Sequence, residues 1–388
     1  MSGDTSKESA ETGGDTRTTG AATGSAPAGG VLTIDLAALA DNWRMLAARI
    51  APAACAAVVK ADAYGLGVAR AAPALRAAGA RTFFVALAEE AAPLRAAVPD
   101  ATLYVLGGLL PGNVDAMLAA DARPVLGSLP EIADWAAACA ARGADLPAAL
   151  HVDTGMNRLG LSLEEARQVA ERGAGFTPSL VMTHLACGDT PGHPLTALQR
   201  ERFAAVAALF PGVPASLANS AGCLLPRSYH FDLARPGVAL YGGRSLASAP
   251  ALKPVVRLEV PVIQLRTGEA GESVGYGAAS TLTRRSRLAI LSLGYADGFL
   301  RASGASDARR GAEVILAGQR CPLVGRVSMD LCAIDITDLP DGAVTRGDRA
   351  VVLGDGLSVD DLAAHAGTIG YEVLTSLGRR YRRVYLGG

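Results

Sequence analysis

Lysine is scarce in this sequence, because the 36 basic residues include only Lys7, Lys60 and Lys253. Acidic residues number 37, so the charges nearly cancel, and this excludes the basic excess of a general nucleic-acid binder. No apolar run reaches the roughly 18 residues of a membrane-spanning helix. The six cysteines form no C-x-x-C pair, which argues against a zinc site. We therefore expect a soluble, cytoplasmic protein without metal, nucleic-acid or membrane partners.

The chain divides into three parts by composition. Residues 1–30 are rich in Gly, Ser, Thr and Ala and lack the continuous apolar segment of a signal peptide, which predicts a disordered extension. Residues 31–249 alternate short apolar runs with stretches of helical spacing such as 163–171 and 195–209. The predicted strands of this part are residues 55–59, 83–87, 103–106, 124–126, 148–152, 180–183, 215–218 and 231–234.

Eight strands that alternate with helices predict an α/β fold, a (β/α)8 TIM-like barrel. A doubly wound open sheet is the alternative, but no G-x-G-x-x-G turn follows the first strand. Beyond a boundary near residue 250, strands separated by Gly, Asp and Pro turns predict a C-terminal mostly-β domain over residues 250–388, with one helix at 360–366. The predicted strands of this domain are residues 255–266, 287–293, 313–316, 331–336 and 349–353.

Reactive groups of such a barrel lie at the C-terminal ends of its strands. These ends carry cations and hydroxyl groups with few carboxylates, namely Lys60, Asp153, Arg158, His184, Asn219, Ser220 and Arg235. This composition favours an anionic ligand with phosphate and carboxylate groups over a divalent metal.

A lysine at the base of such a pocket suits pyridoxal phosphate, because burial and nearby cations lower its pKa and make the amine nucleophilic. Ser220 and the Gly237–Val238 backbone are candidates for the phosphate, and Arg235 for the ring nitrogen. Taken singly, these residues also fit structural roles, since strand-end lysines usually lie at the surface and serines commonly cap helices. The surrounding sequence decides between the two interpretations.

Several motifs resemble those of the alanine racemases, a family of pyridoxal-phosphate enzymes, and they occur in the family's order. They are residues 58–67 (VVKADAYGLG), 152–160 (VDTGMNRLG), 183–186 (THLA), 219–221 (NSA), 235–237 (RPG), 274–277 (VGYG), 294–298 (GYADG) and 325–330 (GRVSMD). The resemblance extends over residues 31–386. It implies interconversion of L- and D-alanine, supplying D-alanine for peptidoglycan, by a homodimer with active sites shared between chains.

The resemblance also implies residue roles. Lys60 matches the lysine that binds the cofactor covalently, and Tyr276 matches a base supplied by the partner chain. Arg158 and the Met329 backbone match the site for the substrate carboxylate, and Arg235 matches the residue at the pyridine nitrogen. The positions matching phosphate ligands are Tyr64, Ser220, Gly237, Val238 and Tyr371, and those matching the narrow entrance are Tyr295 and Tyr371.

Racemisation requires two bases on opposite faces of the α-carbon. Lys60 is expected to take the proton of D-alanine and Tyr276 that of L-alanine. A tyrosine ordinarily has a pKa near ~10, so Tyr276 can act as a base at neutral pH only if its phenolate is stabilised. His184 and Arg235 are expected to form a positively charged chain that does this.

One position departs from the family pattern. Many relatives carry a carbamylated lysine two residues before Asp153, where this chain has His151, so Arg158 must be supported differently. Among alternatives, related decarboxylases use a glycine triplet that is absent here, and pyridoxal-phosphate carriers resemble the barrel alone. A racemase with a broader substrate range remains open.

Overall fold

The computed structural model describes residues 29–190, 192–247 and 251–387. The predicted N-terminal extension lies almost entirely outside these residues. The first described elements are β1 (Val31–Asp35) and α1 (Leu36–Ile50). The Asp35 side chain caps this helix by accepting a hydrogen bond of 2.8 Å from the Ala38 N–H group, which satisfies one of its free donors.

A parallel sheet follows and closes into a barrel. Its strands are β2 (Ala54–Cys55), β3 (Ala57–Val58), β4 (Thr82–Val85), β5 (Thr102–Val105), β6 (Ala122–Leu126), β7 (Ala148–His151), β8 (Pro178–Met182), β9 (Ala215–Ser216) and β10 (Leu233–Ala234). Strands β3 to β9 are neighbours in order, and β10 pairs with β2. Backbone bonds from Asp232 to Ala215 and from Ala54 to Asp232 complete the ring. The predicted barrel is confirmed.

Helices surround this sheet. They are α3 (Val68–Ala78), α4 (Ala91–Ala97), α5 (Val114–Ala119), α6 (Leu129–Arg142), α7 (Leu163–Arg172) and α8 (Pro194–Ala208), whereas α2 (Lys60–Tyr64) is a single turn after β3. The side chains of Ser128 and Ser162 cap α6 and α7, so each helix begins directly after its strand loop. In the described ranges, no helix is both long and apolar enough to cross a membrane.

The C-terminal part is the predicted mostly-β domain. Its elements are β11 (Val256–Gly268), β12 (Ser273–Val274), β13 (Ser280–Thr281), β14 (Ser286–Leu291), β15 (Glu313–Leu316), β16 (Gln319–Val324), β17 (Cys332–Asp335), β18 (Arg349–Leu353), α9 (Val359–Ala366), α10 (Gly370–Ser376) and β19 (Arg382–Leu386). The sequence analysis missed β12, β13, β16, α10 and β19. The long strand β11 pairs with both β18 and β14, which closes the sheet on itself.

The first strand belongs to this second sheet. Although the sequence analysis included residues 31–35 in the barrel part, β1 pairs antiparallel with β11 and parallel with β19. Leu32 and Ile34 are fully buried there. The sequence does not reveal this pairing, because an alternating apolar pattern shows that one strand face is buried but not which sheet covers it.

Candidate active site

Lys60 stands at the start of an unusual turn after β3. Ala61, Asp62, Ala63 and Tyr64 all have φ of 54–55°, so the backbone makes one turn of left-handed helix. Each such residue costs about 1–2 kcal/mol, which other interactions must offset. Within the turn, the Gly65 N–H donates to the Ala61 carbonyl at 2.7 Å.

The C-terminal strand β19 also holds this turn. Arg383 donates a hydrogen bond of 2.5 Å to the Gly65 carbonyl, and the Tyr385 hydroxyl donates one of 2.8 Å to the Leu66 carbonyl. Gly67 lies against the same hydroxyl group with no room for a Cβ atom. The β domain therefore fixes the backbone next to Lys60.

Lys60 is half-buried. Burial lowers its pKa from the ordinary value, the positive charge of Arg158 lowers it further, and Glu90 opposes both effects. A lowered pKa increases the fraction of free amine near neutral pH, as a nucleophile or base requires.

Ser220 and Gly237 form a cradle beside this lysine's strand. The buried Ser220 hydroxyl oxygen accepts hydrogen bonds from the N–H groups of Gly237 at 2.8 Å and Ala239 at 3.4 Å. Gly237 precedes the 3₁₀ helix Val238–Tyr241. A Cβ atom at Gly237 would overlap the Tyr64 hydroxyl, so only glycine fits. Backbone N–H groups at the start of such a turn, next to hydroxyl groups, suit a phosphate.

Three tyrosine rings line this cradle. The Tyr64 ring stacks on Tyr241 at 4.6 Å between centroids and lies 6.1 Å from Tyr371. Burial raises the pKa of Tyr64 and raises that of Tyr371 to about 12, so both phenols stay protonated and can donate to an anion. The sequence analysis did not single out Tyr241. Its only sequence signal is its position four residues after the predicted Gly237.

Arg235 is buried at the end of β10. Its guanidinium group donates to the Thr183 carbonyl at 2.6 Å and to the Ser216 hydroxyl group, and it lies 6.0 Å from the Phe84 ring. Burial lowers its pKa to about 10. Arg235 therefore remains a cation at neutral pH, held in one orientation.

The neighbouring histidines are neutral. Burial, followed by the charge of Arg235, lowers the pKa of His184 well below its ordinary range, and the same two causes lower that of His151 to about 4. The sequence analysis expected a positively charged chain from His184 and Arg235. In the structure Arg235 alone supplies the charge, because burial of an imidazole disfavours its protonated form.

Asp153 shapes the loop that carries Arg158. Its carboxylate accepts hydrogen bonds of 2.8 Å from the backbone N–H groups of Gly155, Met156 and Asn157. Arg158 itself is exposed, and its charge contributes to lowering the pKa of both Lys60 and His151. The structure thus places Arg158 within electrostatic range of both residues at the barrel mouth.

Three predicted site residues lie in the β domain with exposed side chains. The exposed fractions are 71% for Tyr276, 54% for Met329 and 43% for Tyr295. The Tyr295 and Met329 segments are joined, since the Ala296 N–H donates to the Met329 carbonyl at 2.9 Å. At this exposure, the Tyr276 ring is not packed into the half-buried pocket around Lys60 in the same chain.

These residues fit pyridoxal phosphate. A lysine with a lowered pKa, a cradle where a Cβ atom would clash, and an oriented buried cation meet the needs of its aldehyde, phosphate and pyridine nitrogen.

Two family models match this chain: "Alanine racemase, N-terminal domain" over residues 34–245 and "Alanine racemase, C-terminal domain" over residues 255–385. The chain belongs to the alanine racemase family. The predicted family is therefore confirmed, and with it the enzyme class and the pyridoxal-phosphate cofactor.

Curated relatives and solved structures agree. The chain is 53% identical over 367 residues to the alanine racemase of Rhizobium meliloti, covering 92% of this chain and 97% of the relative. It superposes with a TM-score of 0.87 on the Bartonella henselae alanine racemase, which carries covalently bound pyridoxal phosphate, at 39% identity over 93% of this chain and all of the other. The chain also superposes with a TM-score of 0.82 on the biosynthetic alanine racemase of Pseudomonas aeruginosa, at 38% identity. That alignment covers 93% of this chain and 100% of the other chain.

Proposed function

We propose that this protein interconverts L- and D-alanine with pyridoxal phosphate. The observation that carries the proposal is the meeting of Lys60, the Ser220–Gly237 cradle and Arg235 at one end of the barrel. Incubation of the purified protein with either enantiomer should yield equal amounts of both, measured by chiral chromatography. Absence of racemisation by protein that holds its cofactor would overturn the proposal.

Residues of both domains would hold the cofactor. Lys60 would provide the amine for its aldehyde, and Ser220, the backbone of Gly237 and Val238, and the phenols of Tyr64 and Tyr371 would hold its phosphate. When bound, pyridoxal phosphate withdraws electrons from the bonds of the substrate α-carbon and so acidifies its proton. Arg235, fixed by Thr183 and Ser216, would donate to the ring nitrogen. An arginine keeps its own proton there.

Two groups move the proton. The Lys60 amine, freed when the amine of the substrate takes its place, would take the α-proton of D-alanine at Nζ, and its lowered pKa favours the free base. The Tyr276 phenolate of a second copy would take the proton of L-alanine on the other face. In each direction one base removes the proton from its own face and the other base delivers a proton to the opposite face, so one turnover inverts the configuration.

The substrate carboxylate lies against Arg158 and the Met329 backbone. Arg158 is positioned by a loop that Asp153 fixes through three backbone hydrogen bonds. This ion pair orients the α-hydrogen towards a base and away from solvent. Tyr295 and Tyr371 narrow the entrance and favour a small side chain.

The active form is a homodimer. Tyr276 and Met329 are large side chains left exposed by the β domain, and a second copy that presents its β domain to this barrel would bury them. Sedimentation analysis should find a dimer at concentrations where the protein is active. A monomer of full activity would overturn the shared site.

The physiological role that we propose is the supply of D-alanine for peptidoglycan in the cytoplasm. Identity does not decide this role, because relatives named biosynthetic and catabolic both occur in Agrobacterium fabrum, at 48% and 47% identity. Expression in a bacterium that requires external D-alanine should restore growth without it. Failure of an active, well-expressed protein to do so would contradict the role.

A further inference from the structure

Glu90 connects the Lys60 turn to the next loop of the barrel. One carboxylate oxygen accepts a hydrogen bond of 2.5 Å from the Ala61 N–H group, the first residue of the left-handed turn. The other oxygen accepts from the N–H groups of Ala86 at 2.7 Å and Leu87 at 3.0 Å, in the loop after β4. The Glu90 side chain thus joins Ala61, the residue after Lys60, to the loop that follows β4.

The same arrangement occurs once more along the barrel. Glu131 accepts from the Leu109 N–H group at 2.9 Å with one oxygen, and from the Gly127 N–H group at 2.8 Å with the other. It therefore joins the loop after β5 to the loop after β6. Both carboxylates are half-buried. Glu131 is a natural control, because it has the same backbone role away from Lys60.

Glu90 differs from Glu131 in its charged neighbours. Arg158 lies on the loop after β7 and disfavours the ammonium form of Lys60, as does burial, whereas Glu90 favours it. Lys60 in turn acts on His184 after β8. Among the described residues, Glu90 is the carboxylate whose charge opposes Arg158 at the lysine.

We propose that Glu90 is a positioning residue for Lys60: its carboxylate holds the left-handed turn in place and supplies the negative charge that balances Arg158 at the amine. The proposal deepens the proposed function, on which the role of Lys60 rests. Glu90→Gln tests this role, because an amide has only one acceptor oxygen. Its NH₂ group would face a backbone N–H donor and could not accept a hydrogen bond from it. Either Ala61 or the Ala86–Leu87 pair then loses its partner.

The test is the titration of Lys60 in the full chain freed of cofactor. Competitive acetylation with acetic anhydride at a series of pH values, read by mass spectrometry, reports the free amine of each lysine. Lys253, which forms an exposed ion pair with Asp41, is the internal reference. The sequence has only three lysines, so their peptides are readily separated. This readout does not depend on racemisation.

Glu90→Gln should move the Lys60 midpoint to lower pH and raise its labelling relative to Lys253 several-fold below the wild-type midpoint. Hydrogen exchange should also be faster at the Ala61 amide or at the amides of Ala86 and Leu87, whichever loses its acceptor. Glu131→Gln should lower the melting temperature about as much as Glu90→Gln does, but it should leave the Lys60 titration unchanged.

Glu90→Asp separates the effect of the carboxylate charge from the effect of side-chain length. It should keep the Lys60 midpoint close to that of the wild type, while the shorter side chain speeds exchange at Ala61. A Lys60 midpoint in Glu90→Gln that equals that in Glu131→Gln would overturn the proposal and leave Glu90 a purely structural residue. So would unchanged exchange rates at all three amides, Ala61, Ala86 and Leu87, in Glu90→Gln.

Discussion

The Arg235 guanidinium group donates a hydrogen bond of 2.6 Å to the backbone carbonyl of Thr183, the residue before His184. This bond links the ends of β10 and β8 and fixes a buried cation beside His151 and His184, whose pKa values are lowered by burial and by this charge. Position and charge at the proposed pyridine-nitrogen site therefore depend on a single side chain.

Replacing this side chain by Arg235→Lys should lower kcat at least tenfold. An ammonium group is a point donor and cannot reproduce the planar fork that bonds to Thr183 and Ser216, and a lost charged hydrogen bond costs about 1.5–3 kcal/mol. Arg123 is a matched control, because it also lies over an aromatic ring, 5.6 Å from Tyr104, but near the N-terminal end of its strand, β6. Arg123→Lys should retain wild-type kcat, and equal losses in the two variants would contradict the role of Arg235.

Lys60→Ala should abolish the visible absorption band of lysine-bound pyridoxal phosphate and nearly all turnover. The described chain offers Lys253 as another amine, but it is exposed at an ion pair with Asp41. Lys253→Ala should therefore keep both the band and the activity. An undiminished band in Lys60→Ala would remove this residue from the mechanism.

Tyr276→Phe should keep the cofactor and lose proton transfer on one face. Exchange of the α-hydrogen of L-alanine with solvent deuterium should fall by about 10²-fold or more, the usual contribution of a positioned base. Exchange from D-alanine, which uses Lys60, should survive in part. Wild-type exchange of both enantiomers, followed by NMR, would show that the two-base assignment is wrong.

Mixed dimers test whether the site is shared. Lys60→Ala and Tyr276→Phe subunits are each inactive alone, but a heterodimer contains one site with both wild-type residues. Mixing them should restore up to about half of the activity per heterodimer, since one of two sites is intact. No recovery despite subunit exchange, verified by native mass spectrometry, would contradict the partner role of Tyr276.

His151 should make the protein sensitive to acid. Burial lowers its pKa from an ordinary 6.5 to about 4, so the unfolded chain takes up a proton at higher pH than the folded chain. Stability is then complete above pH 6.5 and falls between 6.5 and 4, by up to about 3 kcal/mol. His151→Gln should flatten the fall of melting temperature over this range, and the His184 contribution should remain.

The low pKa of His151 also sets the pH below which a protonated imidazole would repel Arg158. We expect no loss of substrate binding from His151 until the pH approaches 4, and we expect bicarbonate to have no effect, since His151 cannot form a carbamate. His365→Gln, at a half-buried position in α9, is the control for stability. A bicarbonate-dependent KM, or equal melting curves for His151→Gln and wild type between pH 7 and 4.5, would contradict this account.

The sequence determined the barrel, the β domain and most of the pocket. Strand periodicity and the rule that reactive groups follow barrel strands predict Lys60, His184, Ser220 and Arg235 at one end of the barrel. Motif order then predicted the family. These features are readable because they depend on local pattern and on a topology that a repeated strand–helix unit nearly fixes.

Only the tertiary structure decided the rest. It showed that β1 joins the second sheet, that the residues after Lys60 turn left-handed, and that Glu90 holds them there. It also showed that the pKa values of His151 and His184 are lowered, since a pKa depends on burial and on charges brought together from distant parts of the chain. Such properties arise from long-range packing, which no window of neighbouring residues encodes.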